Sequence, residues 1–408
     1  MFSKKSLGYF KGLGTLGAIL IFHLLVRGQD NSAFNEAYNK KDYPRCIQLL
    51  QDSLSKIQQS SDSLQLTLRS NEGEINYNLA CVYALQQQSD LAIICLRKYF
   101  EFARVDYQHL QEDSDIISLR NLPQYAALTH EYRKTADYKY ILDHGERYNK
   151  ESDIAFPTFQ YENNHPALVS LRTSFKLDSI ASSTSQIVNI ITLLNWVHKQ
   201  IPHNGNCENP KTKNASFLLS TCKSQARGLN CRGLALVLNE CYLAMGYKAR
   251  IVTCYPKDSL KRDEDCHVIN MVFADSLNKW LWVDPTNNAY LTDETGKLLG
   301  ISEVRYKAIH NLPLRLNPDA NWNGEPITLD NYIYRYMVKN LYMFESPLQS
   351  EYNMETVVEG KTFNYIKLVP SEYYLKTPKI ETQISPQTHA RWVTYKTTDD
   401  QLFWAFPK

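Results

Sequence analysis

The sequence contains a cysteine, a histidine and an aspartate whose order and surroundings could support nucleophilic acyl transfer. Cys231 opens an amphipathic stretch, His267 opens a strand-like stretch, and Asp284 closes the next strand-like stretch. Free backbone N–H groups and the dipole at a helix start lower the pKa of a thiol placed there. His267 would take the Cys231 proton, the thiolate would attack an amide carbonyl, and Asp284 would orient the imidazole and stabilise its charged form.

The chain around these residues predicts the elements that bring them together. Apolar residues recur at helical spacing over residues 231–245, which predicts a helix with one buried face. Residues 267–273 and 280–283 predict the two strands of a hairpin. A residue just before the first strand of an antiparallel hairpin can lie opposite the residue just after the second, so His267 and Asp284 can meet.

Each of these residues also has an ordinary structural interpretation. Cys231 could be a buried structural thiol, His267 a strand-edge histidine, and Asp284 a turn residue before Pro285, where Asp is common. Three candidates in one ordered set, each on a suitable element, favour the catalytic interpretation. Cys266 opens a strand rather than a helix, so we expect it to pack beside the site.

Three motifs resemble those of the transglutaminase-like superfamily. They are Asn230-Cys231-Arg232-Gly233-Leu234-Ala235, Asp265-Cys266-His267-Val268-Ile269-Asn270 and Trp280-Leu281-Trp282-Val283-Asp284-Pro285-Thr286. The resemblance extends over residues 166–310 and implies a papain-like core, in which the Cys helix packs on a sheet that carries the His and the Asp. It implies a thioester acyl-enzyme on a peptide or amide substrate. Water as acceptor gives a protease or amidase and an amine gives a cross-linker; the often hydrolytic bacterial members favour hydrolysis slightly.

The resemblance leaves the second donor of the oxyanion hole open. The backbone N–H of Cys231 is the first donor. Gln225 lies six residues upstream, where papain-like enzymes often place a Gln, and Trp196 is its rival because animal members of the superfamily use a Trp. We expect no catalytic part for His198, on the surface of a predicted helix, or for His203, in a loop.

The cysteines do not form a metal-binding or redox pattern. The chain has nine cysteines and no C-x-x-C pair, which argues against a zinc or thioredoxin-like site. An odd count leaves at least one thiol unpaired within the chain, and we expect that thiol to be Cys231. A disulfide between Cys207 and Cys222 is conceivable. We expect no metal and no cofactor.

Residues 29–125 predict helices with internal repetition. Segment 78–83, followed by Ala92 and Leu96, resembles the tetratricopeptide signature, in which small residues let two helices cross closely. A weaker copy covers residues 34–50, and the alternative is a plain helical bundle. Such repeats suggest a protein partner, and the competing function for the chain is a non-catalytic scaffold or peptide-binding protein.

The N-terminus predicts export. Three lysines precede an apolar stretch at residues 12–26 that is short for a membrane span, so residues 1–28 are expected to be a cleaved signal peptide of a periplasmic or secreted protein. The alternative is an uncleaved membrane anchor. No later segment predicts a membrane span. With 45 basic and 43 acidic residues and no basic run, the chain gives no support to nucleic-acid binding.

The 408 residues predict several domains. After the helical region, residues 126–165 predict a polar connector, residues 166–310 the catalytic domain, and residues 311–408 a Tyr-rich C-terminal extension packed on it. That extension contains a helix-like segment at residues 332–344. The expected fold class is therefore α+β, a helical repeat region followed by a helix-plus-antiparallel-sheet core.

Overall fold

The computed structural model describes residues 30–59, 62–101, 107–145, 147–149, 154–162, 164–257 and 265–407. The predicted signal segment, residues 1–28, lies outside the described residues, so its cleavage stays a prediction. The described chain divides into two compact units: a smaller one of residues 30–141, and a larger one that begins at residue 142.

The smaller unit is helical. Its helices are α1 (Asp30–Asn39), α2 (Tyr43–Gln58), α3 (Asp62–Leu85), α4 (Ser89–Phe100), α5 (Tyr107–Glu112), a 3-10 turn (Ser114–Leu119), α6 (Pro123–Ala136) and the first part of α7 (Tyr138–His144). The small residues Cys46, Ala80 and Ala92 are completely buried. The predicted helical region is confirmed, but the predicted boundary at residue 125 is wrong, because α6 and α7 continue the helices into residues 126–144, which the sequence predicted as part of an irregular connector. The assignment to the tetratricopeptide family stays a prediction.

The larger unit mixes helices and strands. Its helices are α8 (Pro166–Ser174), α9 (Leu177–Ile180), α10 (Gln186–Gln200), α11 (Ala215–Gln225), α12 (Cys231–Ala244), α13 (Ile301–Ile309), a π-helical segment (Asp330–Met337), α14 (Val338–Asn340), α15 (Ser371–Lys376) and α16 (Asp400–Phe403). Its strands are β1 (Gln160–Tyr161), β2 (Ala249–Tyr255), β3 (His267–Ala274), β4 (Lys279–Val283), β5 (Leu291–Thr292), β6 (Arg315–Leu316), β7 (Asn321–Trp322), β8 (Glu325–Pro326), β9 (Met343–Pro347), β10 (Gln349–Ser350), β11 (Thr362–Leu368), β12 (Ile380–Ile384) and β13 (Arg391–Thr397).

One seven-stranded sheet organises this unit, in the order β12-β13-β11-β9-β2-β3-β4. Its neighbours are antiparallel except for β11 and β13, which run parallel. The sheet draws β2 to β4 from the predicted catalytic domain and β9 and β11 to β13 from the predicted extension. Both parts of the sequence therefore build the same sheet.

Helix α12 packs on this sheet and carries the predicted nucleophile at its first residue. Leu234 and Leu238 of α12 are completely buried in one core cluster with Ile251 of β2 and Val268 of β3. Every residue from Gly233 to Ala244 is buried, so α12 is enclosed on all sides rather than on the one face that the sequence predicted. Packing around the whole helix fixes its position, and with it the position of Cys231.

The predicted helix in the C-terminal part is shorter than expected. The sequence pattern predicts helix over residues 332–344, whereas helical structure begins at Asp330 and ends with Asn340, and β9 begins at Met343. Met343 and Phe344 instead pair with β2 in the sheet. Short apolar runs fit a helix end and a strand equally well in sequence, so strand pairing decided the outcome.

Candidate active site

Cys231 lies at the start of α12, where the local sequence holds the backbone firmly. Asn230 is the N-cap, and its side-chain oxygen accepts hydrogen bonds from the Gly233 N–H (3.1 Å) and from Asn209 Nδ2 (2.7 Å). Gly233 packs against Asn209, and a Cβ there would stand 2.6 Å from Asn209 Oδ1, so the Asn209 side chain would have to move. The half-buried thiol thus sits beside the unpaired N–H groups of a helix start.

The Cys231 thiol is held as a thiolate at neutral pH. Burial raises its pKa, but the neighbouring imidazoles of His203 and His267 outweigh burial, and the pKa of Cys231 falls to about 6. Burial also disfavours the charged form of His267, but the Asp284 carboxylate outweighs this and raises the pKa of His267 to about 10. Between these values Cys231 and His267 form a thiolate–imidazolium pair.

Asp284 is completely buried and both of its carboxylate oxygens are occupied. Oδ2 accepts hydrogen bonds from His267 Nε2 (2.8 Å), the Tyr332 hydroxyl (2.7 Å) and Asn287 Nδ2 (2.9 Å). Oδ1 accepts from the Thr286 N–H (2.8 Å). Burial raises the pKa of Asp284, but the charge and hydrogen bond of His267 outweigh it, and the pKa lies below its usual value.

The strand register explains how His267 and Asp284 meet. The last pair of the β3–β4 ladder is Asn270 with Val283. One further step places Asp284 opposite Ile269, two residues from His267. Because side chains two residues apart share a face, His267 and Asp284 are diagonal neighbours on one face of the sheet rather than directly opposite residues.

Two tyrosines from the π-helical segment complete the surroundings of the imidazole. Tyr332 donates to Asp284 and accepts a hydrogen bond from Trp282 Nε1 (3.0 Å). The Tyr336 hydroxyl lies 3.3 Å from His267 Nδ1, and its ring meets the imidazole edge-on. The sequence did not single out these tyrosines; the available signal was two tyrosines four residues apart in a Tyr-rich helical stretch.

His203, for which the sequence predicted no catalytic part, lies beside the segment that leads into Cys231. It pairs with Leu229, two residues before Cys231, in a parallel β-bridge, and its side chain lowers the pKa of the Cys231 thiol. The loop that carries His203 pairs with the segment before α12, through Asn204 N–H to Leu229 O (2.7 Å) and Leu229 N–H to Pro202 O (3.2 Å). This pairing joins residues far apart in sequence, so the loop gave no signal of it.

His198, predicted to lie on the surface of a helix, makes contacts with other parts of the larger unit. It is half-buried, with Nδ1 2.9 Å from the Pro285 carbonyl oxygen and Nε2 2.8 Å from Asn321 Oδ1. Pro285 directly follows Asp284. His198 therefore links α10 to the segment that carries the carboxylate.

The two predicted oxyanion donors occupy different environments. Gln225 is exposed at the last position of α11. Trp196 is half-buried beside the main core and meets the Phe175 ring edge-on, with centroids 6.1 Å apart. Their role as oxyanion donors stays a prediction.

The remaining cysteines are free thiols. Cys207 and Cys222 are not bonded to each other, so the conceivable disulfide is wrong. Cys207 Sγ instead approaches the Asn204 carbonyl oxygen (3.0 Å), and Cys222 is buried in the core.

Within the described ranges, no three His, Cys, Asp or Glu side chains are grouped to hold a metal ion. None of the helices described is both long and apolar enough to cross a bilayer.

A helix that starts at a cysteine and packs on a sheet carrying a His–Asp pair defines a papain-like cysteine hydrolase or transferase. Residues 175–285 match the family described as the transglutaminase-like superfamily, a range that includes all three triad positions. The core of the larger unit is therefore transglutaminase-like.

One solved structure and the curated proteins complete the comparison. The chain is similar to a candidate cysteine protease from Cytophaga hutchinsonii at 16% identity, with a TM-score of 0.23. The match covers 41% of this chain and 50% of that chain, so it spans about half of that protein's length. No curated protein matches the chain significantly.

Proposed function

We propose that this protein is a cysteine acyl-transfer enzyme that forms a thioester between Cys231 and the acyl group of a peptide or amide. The proposal is carried by the buried His267–Asp284 pair (2.8 Å) and by the Cys231 thiol, whose pKa that imidazole lowers. Burial alone raises the pKa of a thiol, as it does for Cys241 and Cys254, whereas the pKa of Cys231 is lowered. A lowered thiol pKa beside an oriented imidazole is typical of a nucleophile rather than a structural cysteine.

The reaction begins with the Cys231 thiolate and the protonated His267. The sulfur bonds to the carbonyl carbon, and the C=O π electrons move to the oxygen. The C–N bond then breaks, and the leaving nitrogen takes the proton from His267 Nδ1. Asp284 stays ionised and holds Nε2–H throughout, so His267 returns to the neutral form with the correct nitrogen facing the thioester.

The acceptor decides between two reactions at the same triad. Neutral His267 removes a proton from the incoming group, which attacks the thioester and releases Cys231. Water gives a hydrolase, either a protease or an amidase, and an amine gives a cross-linking transferase. We favour hydrolysis slightly, on the family resemblance alone.

A second candidate is a non-catalytic envelope scaffold or peptide-binding protein. Its support is the helical unit of residues 30–141, whose pattern resembles repeats that bind peptides. In the enzyme hypothesis the same unit binds a protein partner or a large substrate. The complete triad geometry favours the enzyme.

Export is also a proposal. Its support is the basic and apolar pattern of residues 1–28, with periplasmic or secreted protein as the expected destination and anchoring through residues 12–26 as the alternative. N-terminal sequencing of protein recovered from cell fractions tests it. A first residue near position 29 in the exported fraction supports cleavage, and an intact Met1 in a membrane fraction supports the anchor.

Labelling and product analysis test the enzyme hypothesis directly. Trypsin releases Cys231 in the peptide Gly228–Arg232, so mass spectrometry reads its iodoacetamide adduct separately from the other cysteines. Cys231→Ala should abolish cleavage or deamidation of envelope-derived peptides, and Cys95→Ser, in the helical unit, should retain both. Unchanged peptide turnover in Cys231→Ala would refute the assignment.

A further inference from the structure

We propose that His203 is a catalytic hydrogen-bond donor to the oxyanion of the tetrahedral intermediate, and that Trp322 positions it by fixing which ring nitrogen carries the hydrogen. The proposal rests on the proposed function, acyl transfer at Cys231. It assigns the second oxyanion donor to a residue other than the two that the sequence offered, Gln225 and Trp196.

The first observation is the position of His203 relative to the nucleophile. His203 pairs with Leu229 in a parallel β-bridge, and the chain from Leu229 through Asn230 to Cys231 is extended. Side chains two residues apart in an extended chain share a face, so the His203 side chain lies on the same side as the Cys231 thiol, whose pKa it lowers. His203 therefore stands where the bond to the substrate carbonyl must form.

The second observation is the tautomer that Trp322 imposes. Trp322 Nε1 lies 3.0 Å from His203 Nδ1. An indole nitrogen can only donate a hydrogen bond, so His203 Nδ1 must accept. The hydrogen of the neutral ring is then on Nε2, which leaves an N–H group on the side away from Trp322.

The two imidazoles therefore have opposite roles. His267 gives its Nε2–H to Asp284, which leaves Nδ1, 3.3 Å from the Tyr336 hydroxyl, as the nitrogen that can exchange a proton with sulfur or with the leaving group. His203 faces the thiol with a nitrogen that already carries a hydrogen. His203 can donate to a negative sulfur or oxygen, and His267 serves as the base.

The third observation is that the main chain of His203 is fixed on both sides. Asn323, in the β7–β8 turn, accepts the His203 N–H through Oδ1 (2.7 Å) and donates to the His203 carbonyl through Nδ2 (2.9 Å). On the other side, Gly228 packs so closely that a Cβ there would stand 2.5 Å from the Pro202 carbonyl oxygen. A donor fixed before the reaction stabilises developing charge without reorganisation.

The chemistry uses this donor once per acylation. As the Cys231 sulfur bonds to the carbonyl carbon, the π electrons move to the carbonyl oxygen, which becomes negative. The backbone N–H of Cys231 and the Nε2–H of His203 donate to that oxygen. The C=O bond re-forms as the C–N bond breaks, and the leaving nitrogen takes its proton from His267, so His203 gains and loses no proton.

Two thiol probes separate an oxyanion donor from a group that only maintains the thiolate. p-Nitrophenyl acetate acylates a thiol through a tetrahedral oxyanion, whereas iodoacetamide alkylates it by direct displacement at carbon. Both products are read on the Gly228–Arg232 tryptic peptide. We expect His203→Ala to slow acylation about 10²-fold or more, and to slow alkylation much less once both rates are referred to the thiolate fraction from a pH profile.

Conservative variants distinguish the loss of a hydrogen-bond donor from the loss of side-chain volume. His203→Gln keeps an N–H donor without a basic nitrogen and should recover part of the lost acylation. Trp322→Phe keeps a ring but frees the tautomer, and should lower acylation while alkylation stays near the wild-type rate. The exposed His310 is the matched control, and His310→Ala should leave both rates unchanged. Thermal unfolding of each variant establishes that it is folded.

These measurements test the donor role of His203 and the nucleophile role of Cys231 separately. Equal losses of acylation and alkylation in His203→Ala, or unchanged acylation, would overturn the donor role while leaving Cys231 as the nucleophile. If His203→Gln recovers none of the lost acylation rate, that result also argues against a hydrogen-bond donor role for His203. If the wild-type Cys231 peptide takes neither probe, the proposed function fails, and the role of His203 fails with it.

Discussion

The half-buried Cys231 differs from the buried thiols of the larger unit above all in its neighbours. Cys241 and Cys254 are completely buried and their pKa values are raised. Cys231 lies at a helix start between His203 and His267, and its pKa is lowered to about 6. The sulfur is therefore charged where an ordinary thiol of pKa about 8.5 is neutral.

The first prediction concerns the pH dependence of Cys231 reactivity. The thiolate is present above the pKa of about 6 and lost below it, so iodoacetamide labelling should rise between pH 5 and 7 and then level off. In His267→Ala the midpoint should move upward, because the charge partner is gone. The pH profile of the Gly228–Arg232 adduct, compared with a free cysteine peptide, measures this. A midpoint near that of the free peptide would contradict the thiolate–imidazolium pair.

The second prediction concerns the carboxylate. Asp284→Asn keeps the shape but can turn an N–H toward His267, which favours the wrong tautomer and removes the charge that stabilises the imidazolium. We expect acylation by p-nitrophenyl acetate to fall about 10³-fold or more. Asp293→Asn, at an exposed turn, is the control and should behave as wild type. Near wild-type acylation in Asp284→Asn would exclude Asp284 from the triad.

At the scale of elements, the start of α12 depends on a loop that comes before it in sequence. Asn209 hydrogen-bonds the capping Asn230, and Gly233 leaves room for the Asn209 side chain. The loop therefore sets the position of the first turn, where the free N–H groups lie. The helix start is built from two segments rather than from its own residues alone.

A third prediction follows for Gly233→Ala. In an open helix position, alanine in place of glycine stabilises by about 1 kcal/mol. Here the new Cβ would meet Asn209 at 2.6 Å, so we expect the opposite sign, a loss of about 1–3 kcal/mol in unfolding free energy. The displaced cap should also slow Cys231 alkylation. Urea unfolding measures the first effect, with the exposed Lys223→Ala of α11 as control, and a more stable Gly233→Ala would contradict the packing.

The π-helical segment Asp330–Met337 is the second element that the site depends on. It places Tyr332 against Asp284 and Tyr336 against His267. π-helical turns are rare and occur frequently at functional sites. The Tyr-rich C-terminal part thus supplies the surroundings of the imidazole in addition to strands of the sheet.

At the scale of the whole molecule, the two units have separate cores. The larger unit contains Cys231, His267 and Asp284 with their contacts, and the helical unit has its own buried cluster built from α2 to α6. Residues 311–407 are integral to the larger unit, because β9 pairs with β2 beside the site. A shortened protein must therefore keep everything from residue 142 onward to retain the site.

The fourth prediction concerns the helical unit. A chain that lacks residues up to Ala136 should keep the wild-type rate of iodoacetamide labelling at Cys231, since the site contacts all come from the larger unit. If the helical unit recruits a large substrate, turnover of a protein substrate should fall while labelling by the small probe persists. Insoluble protein would instead indicate a purely structural part for these helices.

The elements nearest the motifs followed from the sequence, and the more distant ones did not. The helix at Cys231 and the hairpin from His267 to Asp284 were predictable because side-chain period and turn residues are local signals. The common sheet that joins β2 to β9 was not, because strand pairing between distant segments leaves no local period. The helix expected through Phe344 ended early for the same reason.

The sequence alone therefore singled out Cys231, His267 and Asp284 as the candidate nucleophile, base and carboxylate, because each belongs to a motif on one local element. Only the tertiary structure brought His203, Trp322, Tyr332 and Tyr336 to these groups. Their contacts depend on loops and strands that are far apart in the sequence and meet only in the folded chain. Local sequence patterns therefore do not predict these contacts. The role of such a side chain depends on its hydrogen-bond partner in the folded chain, as that of His203 depends on Trp322.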